Sequence, residues 1–322
     1  MKCLCCNKEI TGVEINGWHI SCIRKFFGTS VLPEIELTEE KLKSLADETI
    51  NKGLTVAGVQ KKLSLHLTGG QMPRLTIVDF PAGYILKPQA DYFPSLPEAE
   101  FLVMKMAHEA GIRTASCALL RNNDSYVYIT ARMDRIPQCK EYPDGAMLAM
   151  EDFCQLCRRL TCDKYHGSCE RCAKIIEKYS SRPGLDMAEL FIRLVFCYVT
   201  GNSDMHLKNF SLIEDMPKSG NYILSPAYDL LPVNVIMPED TEAFALPING
   251  KKKNIRRNDF LIFAEQAGIA RKTASRLIDS VLAKAPRFKE MCAESLLIDE
   301  LKECFINLID QRCAMLQPGA RE

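Results

Sequence analysis

Three polar residues in the middle of the chain have types and a spacing that could do chemistry. Asp204 and Asn209 lie five residues apart in the stretch GNSDMHLKNFSL, and Asp229 follows in SPAYDLL, twenty-five residues after Asp204. An aspartate carboxylate can take a proton from a hydroxyl group, and carboxylate and amide oxygens are ligands that suit Mg2+. The set could therefore combine a general base with a metal-binding pair.

This spacing is typical of phosphoryl transfer, which depends mainly on positioning and charge neutralisation. In kinases, a catalytic-loop Asp-x4-Asn is followed by a separate aspartate that binds metal. A turn rich in Asp and Asn, capped by its own side chains, is the alternative reading of the same loop. Neither G-x-G-x-x-G nor G-x4-G-K-[ST] occurs, so an ordinary protein-kinase glycine loop or P-loop is not predicted.

The first 22 residues contain a second candidate site, with metal-ligand spacing. Cys3 and Cys6 form C-x2-C, and after twelve residues His19 and Cys22 form H-x2-C. Paired ligands at both ends of a short loop can close a tetrahedron around Zn2+, and the metal would supply folding energy to a segment too small for its own core. We expect a structural zinc knuckle here. Reduced thiols on a surface arm are the alternative.

A second group of cysteines lies further along the chain and favours a different interpretation. Cysteine is a small hydrophobe that is readily buried, and the flanking stretches EDFCQLCRRL and SCERCAKIIEKY both have helical patterns. We therefore expect burial rather than a second metal site for this group, which consists of Cys154, Cys157, Cys162, His166, Cys169 and Cys172.

The elements that must position these residues fall into two classes along the chain. Short β-rich runs with turn residues between them, such as KKLSLHL, RLTIVDF and YILKPQ, precede one helical segment, PEAEFLVMKMAHEAGI. From Glu151 onward, helical periodicity dominates. The order predicts an α+β fold with a strand-rich N-lobe and a helical C-lobe. The predicted parts are a cysteine-rich segment (1–30), a linker with a short helix (31–50), the N-lobe (51–135) and the C-lobe (136–322).

Composition limits the classes of function. The chain has 322 residues with 41 basic and 41 acidic side chains, so a zero net charge gives no indication of direct nucleic-acid or membrane-surface binding. No apolar stretch approaches the length of a membrane span, and the N-terminus lacks the apolar region of a signal peptide. Fifteen cysteines in such a chain indicate thiols and metal ligands, and we expect a cytoplasmic protein.

Several stretches together resemble one family. In chain order they are GVQKKLSL, YILKPQ, LPEAEFLVMKMAHEAGI, MDR, EDFCQL, GNSDMHLKNFSL and SPAYDLL. This series is similar to the HipA-type serine/threonine kinases of bacterial toxin-antitoxin systems, over about residue 51 to the C-terminus. The stretch ALPINGKKKNI is similar to the shorter HipT-like members. The resemblance implies a two-lobed, protein-kinase-like fold.

The resemblance also implies a role for individual residues. Asp204 would be the general base, Asn209 and Asp229 would bind Mg2+, and Lys87 would pair with the ATP phosphates and with Glu98 or Glu100. Ala131 to Met133 would form the hinge that touches adenine, although HipA itself has Glu at the position of Ala131 and Phe at that of Met133. The nucleotide-binding set implied is Ala57, Gly58, Val59, Gln60, Lys61, Lys62, Lys87, Ala131, Arg132, Met133, His206, Lys208, Asn209, Tyr228 and Asp229.

The function implied is ATP-dependent phosphorylation of a protein serine or threonine, with aminoacyl-tRNA synthetases as substrates known in the family. A cognate antitoxin, HipB-like or HipS-like, would be the partner. Thr55 falls where HipA carries an autophosphorylated serine, so we expect a phosphate there to weaken ATP binding. Two alternatives remain open, a small-molecule kinase with the same machinery and a catalytically inactive, zinc-bearing adaptor.

Overall fold

The computed structural model describes residues 1–35, 62–69, 72–78, 82–90 and 92–319. The chain divides into two compact units. The first unit contains Met1–Phe101 and Ala115–Met133, and the second contains Leu102–Thr114 and Asp134–Glu322. Thr55 and the predicted phosphate loop from Ala57 to Lys61 lie outside the described residues. The boundaries of the four predicted segments, 1–30, 31–50, 51–135 and 136–322, remain predictions.

The first unit is built on a six-stranded sheet. Its strands are β3 (Glu34–Ile35), β4 (Leu63–Leu67), β5 (Arg74–Ile77), β6 (Tyr84–Lys87), β7 (Cys117–Asn122) and β8 (Ser125–Ala131). They lie in the order β3-β5-β4-β6-β8-β7, parallel between β3 and β5 and antiparallel elsewhere. Along β4, Leu63 and Leu65 are buried while His66 is exposed, which is the alternation expected for a strand with one covered face. The strands predicted from KKLSLHL, RLTIVDF and YILKPQ are present.

The N-terminal segment packs against this sheet. It forms a hairpin, β1 (Glu14–Ile15) and β2 (Trp18–His19), followed by the helix Ile20–Phe27. The fully buried Trp18 donates its indole N–H to the carbonyl of Leu119 at 3.0 Å, and the Leu119 N–H donates to the carbonyl of Leu4 at 2.8 Å. Leu119 belongs to the outer strand β7, so the segment uses backbone groups that an edge strand would otherwise expose.

The second unit is mostly helical, as predicted. Helix Leu96–Glu109 begins in the first unit and ends in the second. The other helices are Phe153–Leu156, Cys169–Tyr179, Pro183–Val199, Val233–Ile236, Arg257–Gln266, Arg271–Leu282, Ala285–Ala293 and Asp299–Leu316. A three-stranded antiparallel sheet joins β11 (Met150–Asp152), β12 (Ser211–Glu214) and β13 (Tyr222–Leu224), and the short strands β9 (Arg135–Ile136) and β10 (Ala146–Met147) form a separate hairpin.

Helix Pro183–Val199 forms the centre of the second unit. Proline is well placed in its first turn, because the N–H that proline lacks has no partner within a helix at that position. The sequence LVFCYV at its C-terminal end is apolar on all sides and is completely buried. Helices Cys169–Tyr179, Arg271–Leu282 and Asp299–Leu316 pack around it. The buried helix therefore fixes the position at which the following polar loop begins.

One predicted helix is much shorter than expected. The stretch EDFCQLCRRL contributes its first residues to β11, and only Phe153–Leu156 is helical. Asp152 caps this helix by accepting from the Gln155 N–H at 2.8 Å. Arg158 has φ +55°, a left-handed conformation that a helix cannot continue through.

No helix among the described residues is both long and apolar enough to cross a membrane.

A substitution at Gly201 tests the left-handed backbone conformation that joins the central helix to the polar loop. Its φ is +67°, and a Cβ atom at this position would overlap the side chain of Leu308. We expect Gly201→Ala to destabilise the protein by about 2 kcal/mol or more, because a left-handed alanine costs about 1–2 kcal/mol before the overlap is added. Thermal or urea unfolding measures the change.

Gly184→Ala is the matched control. Gly184 lies in the first turn of the same helix, and nothing lies within 4 Å of a Cβ atom added there. This variant should be as stable as the wild type or slightly more stable, because alanine is the better helix former. Equal stability of the two variants would contradict the role given to Gly201.

Candidate active site

The loop that follows the central helix is closed by hydrogen bonds to Asp204. The Asp204 carbonyl accepts from the His206 N–H at 2.8 Å and from the Asn209 side-chain amide at 2.9 Å. The buried Asn209 thus uses Nδ2 inside the loop, which leaves its Oδ1 as the atom suited to a metal. At the start of the loop, Ser203 donates to the Asp240 carboxylate at 2.6 Å. The predicted pair, Asp204 and Asn209, is therefore brought together.

The Asp204 side chain has a partner that the sequence did not suggest. The Tyr165 hydroxyl donates to Asp204 Oδ1 at 2.9 Å, and the Tyr165 ring meets the His206 ring edge to face at 5.2 Å between centroids. Burial, reinforced by the negative charge of Asp204, raises the pKa of Tyr165. The phenol therefore stays protonated and acts as a donor to the carboxylate.

Lys208 is bound by a second carboxylate. Its Nζ lies 2.6 Å from Asp152 Oδ2, while the other oxygen of Asp152 caps helix Phe153–Leu156. About a third of the Lys208 side chain is exposed. The ammonium group is thus held by Asp152 on the edge of the three-stranded sheet, and its predicted place beside phosphates remains a prediction, as does that of His206.

The segment carrying Asp229 is tied to the same loop through Tyr228. The Tyr228 hydroxyl donates to the Lys208 carbonyl at 2.9 Å and lies 2.6 Å from Ser211 Oγ, which donates to it because the phenol proton is already used. Burial raises the pKa of Tyr228. Asp229 itself has φ +59°, an unusual conformation for a residue other than glycine, of the kind that often occurs at functional sites.

A group of three charged residues, of which Arg193 is fully buried, holds the chain just before this segment. Glu189 bonds to Arg113 Nε at 3.0 Å and to Arg193 Nη2 at 2.8 Å. The two arginines in turn donate to the carbonyls of Leu224 and Ser225, at 2.6 and 2.9 Å. Arg193 is fully buried, and this burial lowers its pKa. Charges on the central helix therefore position the backbone that leads to Asp229.

In the first unit, Lys87 forms a buried ion pair with Glu100. The Nζ and Oε1 atoms are 2.5 Å apart, and the side chains are 4% and 0% exposed. Lys87 ends β6 and its ammonium lies 5.3 Å from the centre of the Tyr128 ring. Of the two glutamates considered as partners, Glu100 is the one that pairs with Lys87. Glu98 lies in the first turn of the same helix, and burial raises its pKa.

The predicted hinge lies at the end of β8. The N–H groups of Ala131 and Arg132 donate to the carbonyls of Ser116 and Gly83, both at 2.9 Å. Lys62 is an exposed residue just before β4. The contacts of these residues and of Met133 with adenine or phosphate remain predictions.

The four N-terminal residues with metal-ligand spacing form one cluster. The ligand atoms of Cys3, Cys6, His19 and Cys22 all lie within 4.8 Å of one another, and the structure shows no other such group among the residues it describes. His19 Nδ1 lies 3.4 Å from Cys6 Sγ and 3.7 Å from Cys22 Sγ, while its Nε2 lies 3.1 Å from the carbonyl of Glu9. A backbone carbonyl bonded to the far ring nitrogen is one of the usual ways in which proteins orient a metal-binding histidine.

The electrostatics of this cluster differ from one thiol to another. Burial acts to raise the pKa of Cys3, but hydrogen bonds from the backbone of Cys6, His19 and Cys5 outweigh it and lower the pKa. Burial and the charges of the neighbouring cysteines raise the pKa of Cys22. The cluster could bind zinc, which favours thiolate and imidazole ligands in a tetrahedron.

The second cysteine group forms no such cluster. Cys154, Cys169 and Cys172 are buried, Cys157 is half-buried, and Cys162 is exposed. Burial raises the pKa of Cys169 and of Cys172, so both stay protonated thiols. The interpretation of these residues as buried small hydrophobes agrees with the structure for Cys154, Cys169 and Cys172.

Comparison with known proteins identifies the family. The HipA-like C-terminal domain matches residues 54–288. A Haemophilus influenzae protein named "Putative kinase" is 24% identical over 336 residues, covering 96% of this chain and 94% of the relative. The chain therefore belongs to the HipA-like C-terminal domain family, as the sequence motifs predicted. The narrower resemblance to HipT-like members remains a prediction.

Two solved structures have a similar fold. HipA of the Shewanella oneidensis MR-1 toxin-antitoxin system, determined in complex with HipB and operator DNA, has a TM-score of 0.72 at 19% identity, covering 87% of this chain and 71% of that chain. The Helicobacter pylori proinflammatory kinase CtkA has a TM-score of 0.50 at 12% identity, covering 79% and 93%. The predicted HipA-like, protein-kinase-like fold is confirmed.

Two polar residues of the site were missed from the sequence. Tyr165 reaches Asp204 from 39 positions away, and Asp152 reaches Lys208 from 56 positions away. Asp152 lies in the family-like stretch EDFCQL, which was a usable signal. Tyr165 lies in a cysteine-rich stretch, and no motif in the sequence marks this tyrosine.

The Lys87–Glu100 pair yields a prediction with a neighbouring control. Glu100→Gln should destabilise the protein by about 3 kcal/mol, because it leaves the buried Lys87 ammonium without a carboxylate. Glu98→Gln should instead stabilise the protein at neutral pH. Because the pKa of Glu98 is raised in the folded state, ionisation of Glu98 costs stability as the pH rises above the ordinary value of about 4.3.

Chemical unfolding of both variants at pH 7 and at about pH 4 tests this pair of expectations. Glu98→Gln should exceed the wild type in stability at pH 7 and match it more closely at the acidic pH. A loss of stability in Glu98→Gln as large as that in Glu100→Gln would contradict the assignment of Glu100 as the partner of Lys87.

Proposed function

We propose that the protein is an ATP-dependent serine/threonine protein kinase of a HipA-like toxin-antitoxin system. One observation carries the proposal: hydrogen bonds link Asp204, Asn209 and the segment that contains Asp229. Asn209 bonds to Asp204 within one loop, and Tyr228, next to Asp229, bonds to the same loop. The buried Lys87–Glu100 pair supplies the ion pair that kinases use to place a lysine for the nucleotide phosphates.

Each residue then has a role in phosphoryl transfer. The Asp204 carboxylate accepts the proton of the attacking hydroxyl group and orients that group. Asn209 Oδ1 and the Asp229 carboxylate are oxygen ligands and would hold Mg2+, which neutralises charge on the phosphates. Lys87 would bind ATP phosphates, and the nucleotide loop, the hinge and Thr55 keep the roles that the family resemblance implies. The donor set fits Mg2+ because it contains only oxygen atoms.

The family suggests the substrate and the partner. A protein hydroxyl is the acceptor, and an aminoacyl-tRNA synthetase is the substrate class that the resemblance favours. The Shewanella HipA structure contains HipB, and we infer a HipB-like or HipS-like antitoxin as partner, in the cytoplasm. A small-molecule kinase is distinguished by radiolabel transfer from ATP to metabolite pools rather than to lysate proteins. An inactive adaptor would transfer label to neither.

Exchanging aspartate for asparagine separates metal binding from proton transfer. Asp229→Asn keeps a residue type that tolerates the left-handed conformation, so the loss of a charged ligand should weaken Mg-ATP binding and abolish turnover. Asp204→Asn should keep the ATP affinity within a few fold and lower the rate about 100-fold or more. Calorimetry with and without Mg2+, together with phosphoryl-transfer assays, measures both effects.

Asp215→Asn is the matched control for these two variants. Asp215 is an exposed residue after β12 that bonds to Ser219, so its exchange should change neither binding nor rate. Equal loss of ATP affinity in the Asp204 and Asp229 variants, or retained transfer in Asp204→Asn, would show that the roles are misassigned.

We also infer that Cys3, Cys6, His19 and Cys22 bind one structural Zn2+. The purified protein should contain about one equivalent of zinc, and Cys6→Ser or Cys22→Ser should lower it below half an equivalent. Removal of zinc by a chelator should lower the unfolding temperature, because the same segment carries Trp18 against β7. Cys5→Ser, outside the cluster, should keep its zinc. A wild-type protein with less than half an equivalent would refute the site.

A further inference from the structure

The second unit contains a partly open cavity that the proposed function does not use. Its volume is about 530 Å3, a size common among ligand-binding sites in proteins. Its walls come from helices Cys169–Tyr179, Pro183–Val199 and Arg257–Gln266 and from the turn after the last of these, and the first helix packs against the other two. None of the lining residues belongs to the candidate active site, so the cavity requires a separate explanation.

The floor of the cavity is apolar. Ala173, Met187 and Phe263 line it and are themselves buried, so the packing of the unit fixes their positions. Leu185 follows the lining residue Gly184 and is 69% exposed. Apolar surface of this kind, rimmed by polar side chains, is typical of a site that contacts another molecule. A small ligand inside the cavity would leave Leu185 in water, whereas a segment of protein chain could cover both.

The charged side chains of the lining carry an excess of negative charge. They are three glutamates and one lysine, namely Glu170, Glu177, Glu265 and Lys174. The Asn249 N–H donates to Glu170 Oε1 at 2.7 Å and holds this carboxylate in place. Glu265 lies 3.2 Å from Arg271 in a pair whose side chains are both about half exposed, and exposed pairs of this kind are weak.

Three of these charges form a pattern on helix Cys169–Tyr179. Glu170, Lys174 and Glu177 share one face of the helix, because they are four and three residues apart. The two glutamates are about 10 Å apart along the helix axis, at 1.5 Å per residue. Glu177 and Lys174 are exposed, and neither has a hydrogen-bond or ion-pair partner within the part of the chain that the structure describes. The face therefore presents an acidic, a basic and an acidic group in order.

The backbone of the surrounding helices also favours a cation. The C-terminal end of helix Arg257–Gln266 lines the cavity, and such an end carries a partial negative charge. The N-terminus of helix Pro183–Val199 carries the opposite partial charge, but Asp186, a buried carboxylate in its first turn, offsets that charge.

We propose that this cavity docks a segment of a partner protein with two basic side chains about 10 Å apart and an apolar residue between them. The basic side chains pair with Glu170 and Glu177, and the apolar residue enters the floor at Phe263. Lys174 disfavours a third cation between the two. Charge complementarity selects this occupant over an acidic protein segment or a nucleic acid, which the carboxylates would repel. The inference does not depend on the proposed function.

A phage-displayed library of random peptides of about twelve residues, or roughly three helical turns, tests the chemistry of the occupant. The intact protein is immobilised, and an excess of the soluble Glu177→Lys variant removes peptides that bind elsewhere. Glu177 is exposed, so this substitution should leave the fold intact, which thermal unfolding checks. The retained peptides should carry at least two lysines or arginines with an apolar residue between them.

The affinity of a retained peptide, measured by fluorescence anisotropy, should follow the charge of the lining. Glu177→Lys should weaken binding about tenfold or more, because a like charge then faces the peptide. Lys174→Glu should strengthen it, because a repulsive charge becomes attractive. Glu303→Lys is the matched control, since it makes the same charge reversal at an exposed residue outside the cavity, and it should leave the affinity unchanged. Added salt should weaken binding, because exposed charges are screened.

Several outcomes would overturn the inference. One is a selection that retains no peptides, or only peptides without basic residues. Another is an equal loss of affinity in Glu303→Lys and Glu177→Lys, which would show a general effect of net charge. Self-association in sedimentation velocity that Glu177→Lys abolishes would show that a second copy of this chain is the occupant instead. None of these measurements requires phosphoryl transfer, so the inference and the proposed function fail independently.

Discussion

The carbonyl oxygen of Asp204 accepts two hydrogen bonds, and the geometry of the candidate active site depends on them. The bond from the His206 N–H turns the backbone, and the bond from the Asn209 amide brings a second polar residue beside the aspartate. A short loop alone could adopt many conformations at little cost. These two bonds select one, in which Asp204 and Asn209 lie side by side in one closed loop.

Charged residues, one of them fully buried, fix the backbone before Asp229. Glu189 and Arg193 lie on the central helix, and taking the fully buried Arg193 out of water costs several kcal/mol. Their mutual attraction and the bonds from Arg113 and Arg193 to backbone carbonyls offset part of that cost. What the fold gains is a fixed backbone before Asp229, whose left-handed conformation has to be maintained by its surroundings. Positioning, more than stability, explains why charges are placed at the centre of this unit.

The sequence predicted those parts of the protein that local patterns determine. Asp204 and Asn209 are five residues apart, so one loop could bring them together, and the apolar runs marked the central helix and most strands. Cys3, Cys6, His19 and Cys22 were grouped correctly because ligand spacing is also a local signal. Long-range contacts were not predictable in this way. Tyr165 approaches Asp204 only because a separate segment docks on Leu207, and no periodicity encodes that contact.

Two further differences between the predictions and the structure concern the length of one helix and the choice of an ion-pair partner. The stretch EDFCQLCRRL has a helical pattern, but β11 takes its first residues into a sheet and Arg158 ends the helix after one turn. The choice of Glu100 over Glu98 as the partner of Lys87 depends on which side of one helix faces β6. Two glutamates two positions apart cannot both face it, but the sequence alone does not say which one does.

The proposed function requires that Asp204 acts on a protein hydroxyl during phosphoryl transfer from ATP. Quantitative phosphoproteomics of cells expressing the wild type or Asp204→Ala tests it most directly, since it reports activity and substrate together. We expect new phosphoserine or phosphothreonine sites, on one or a few proteins, with the wild type and none of them with the variant. Identical phosphoproteomes, or the same new sites with Asp204→Ala, would contradict it.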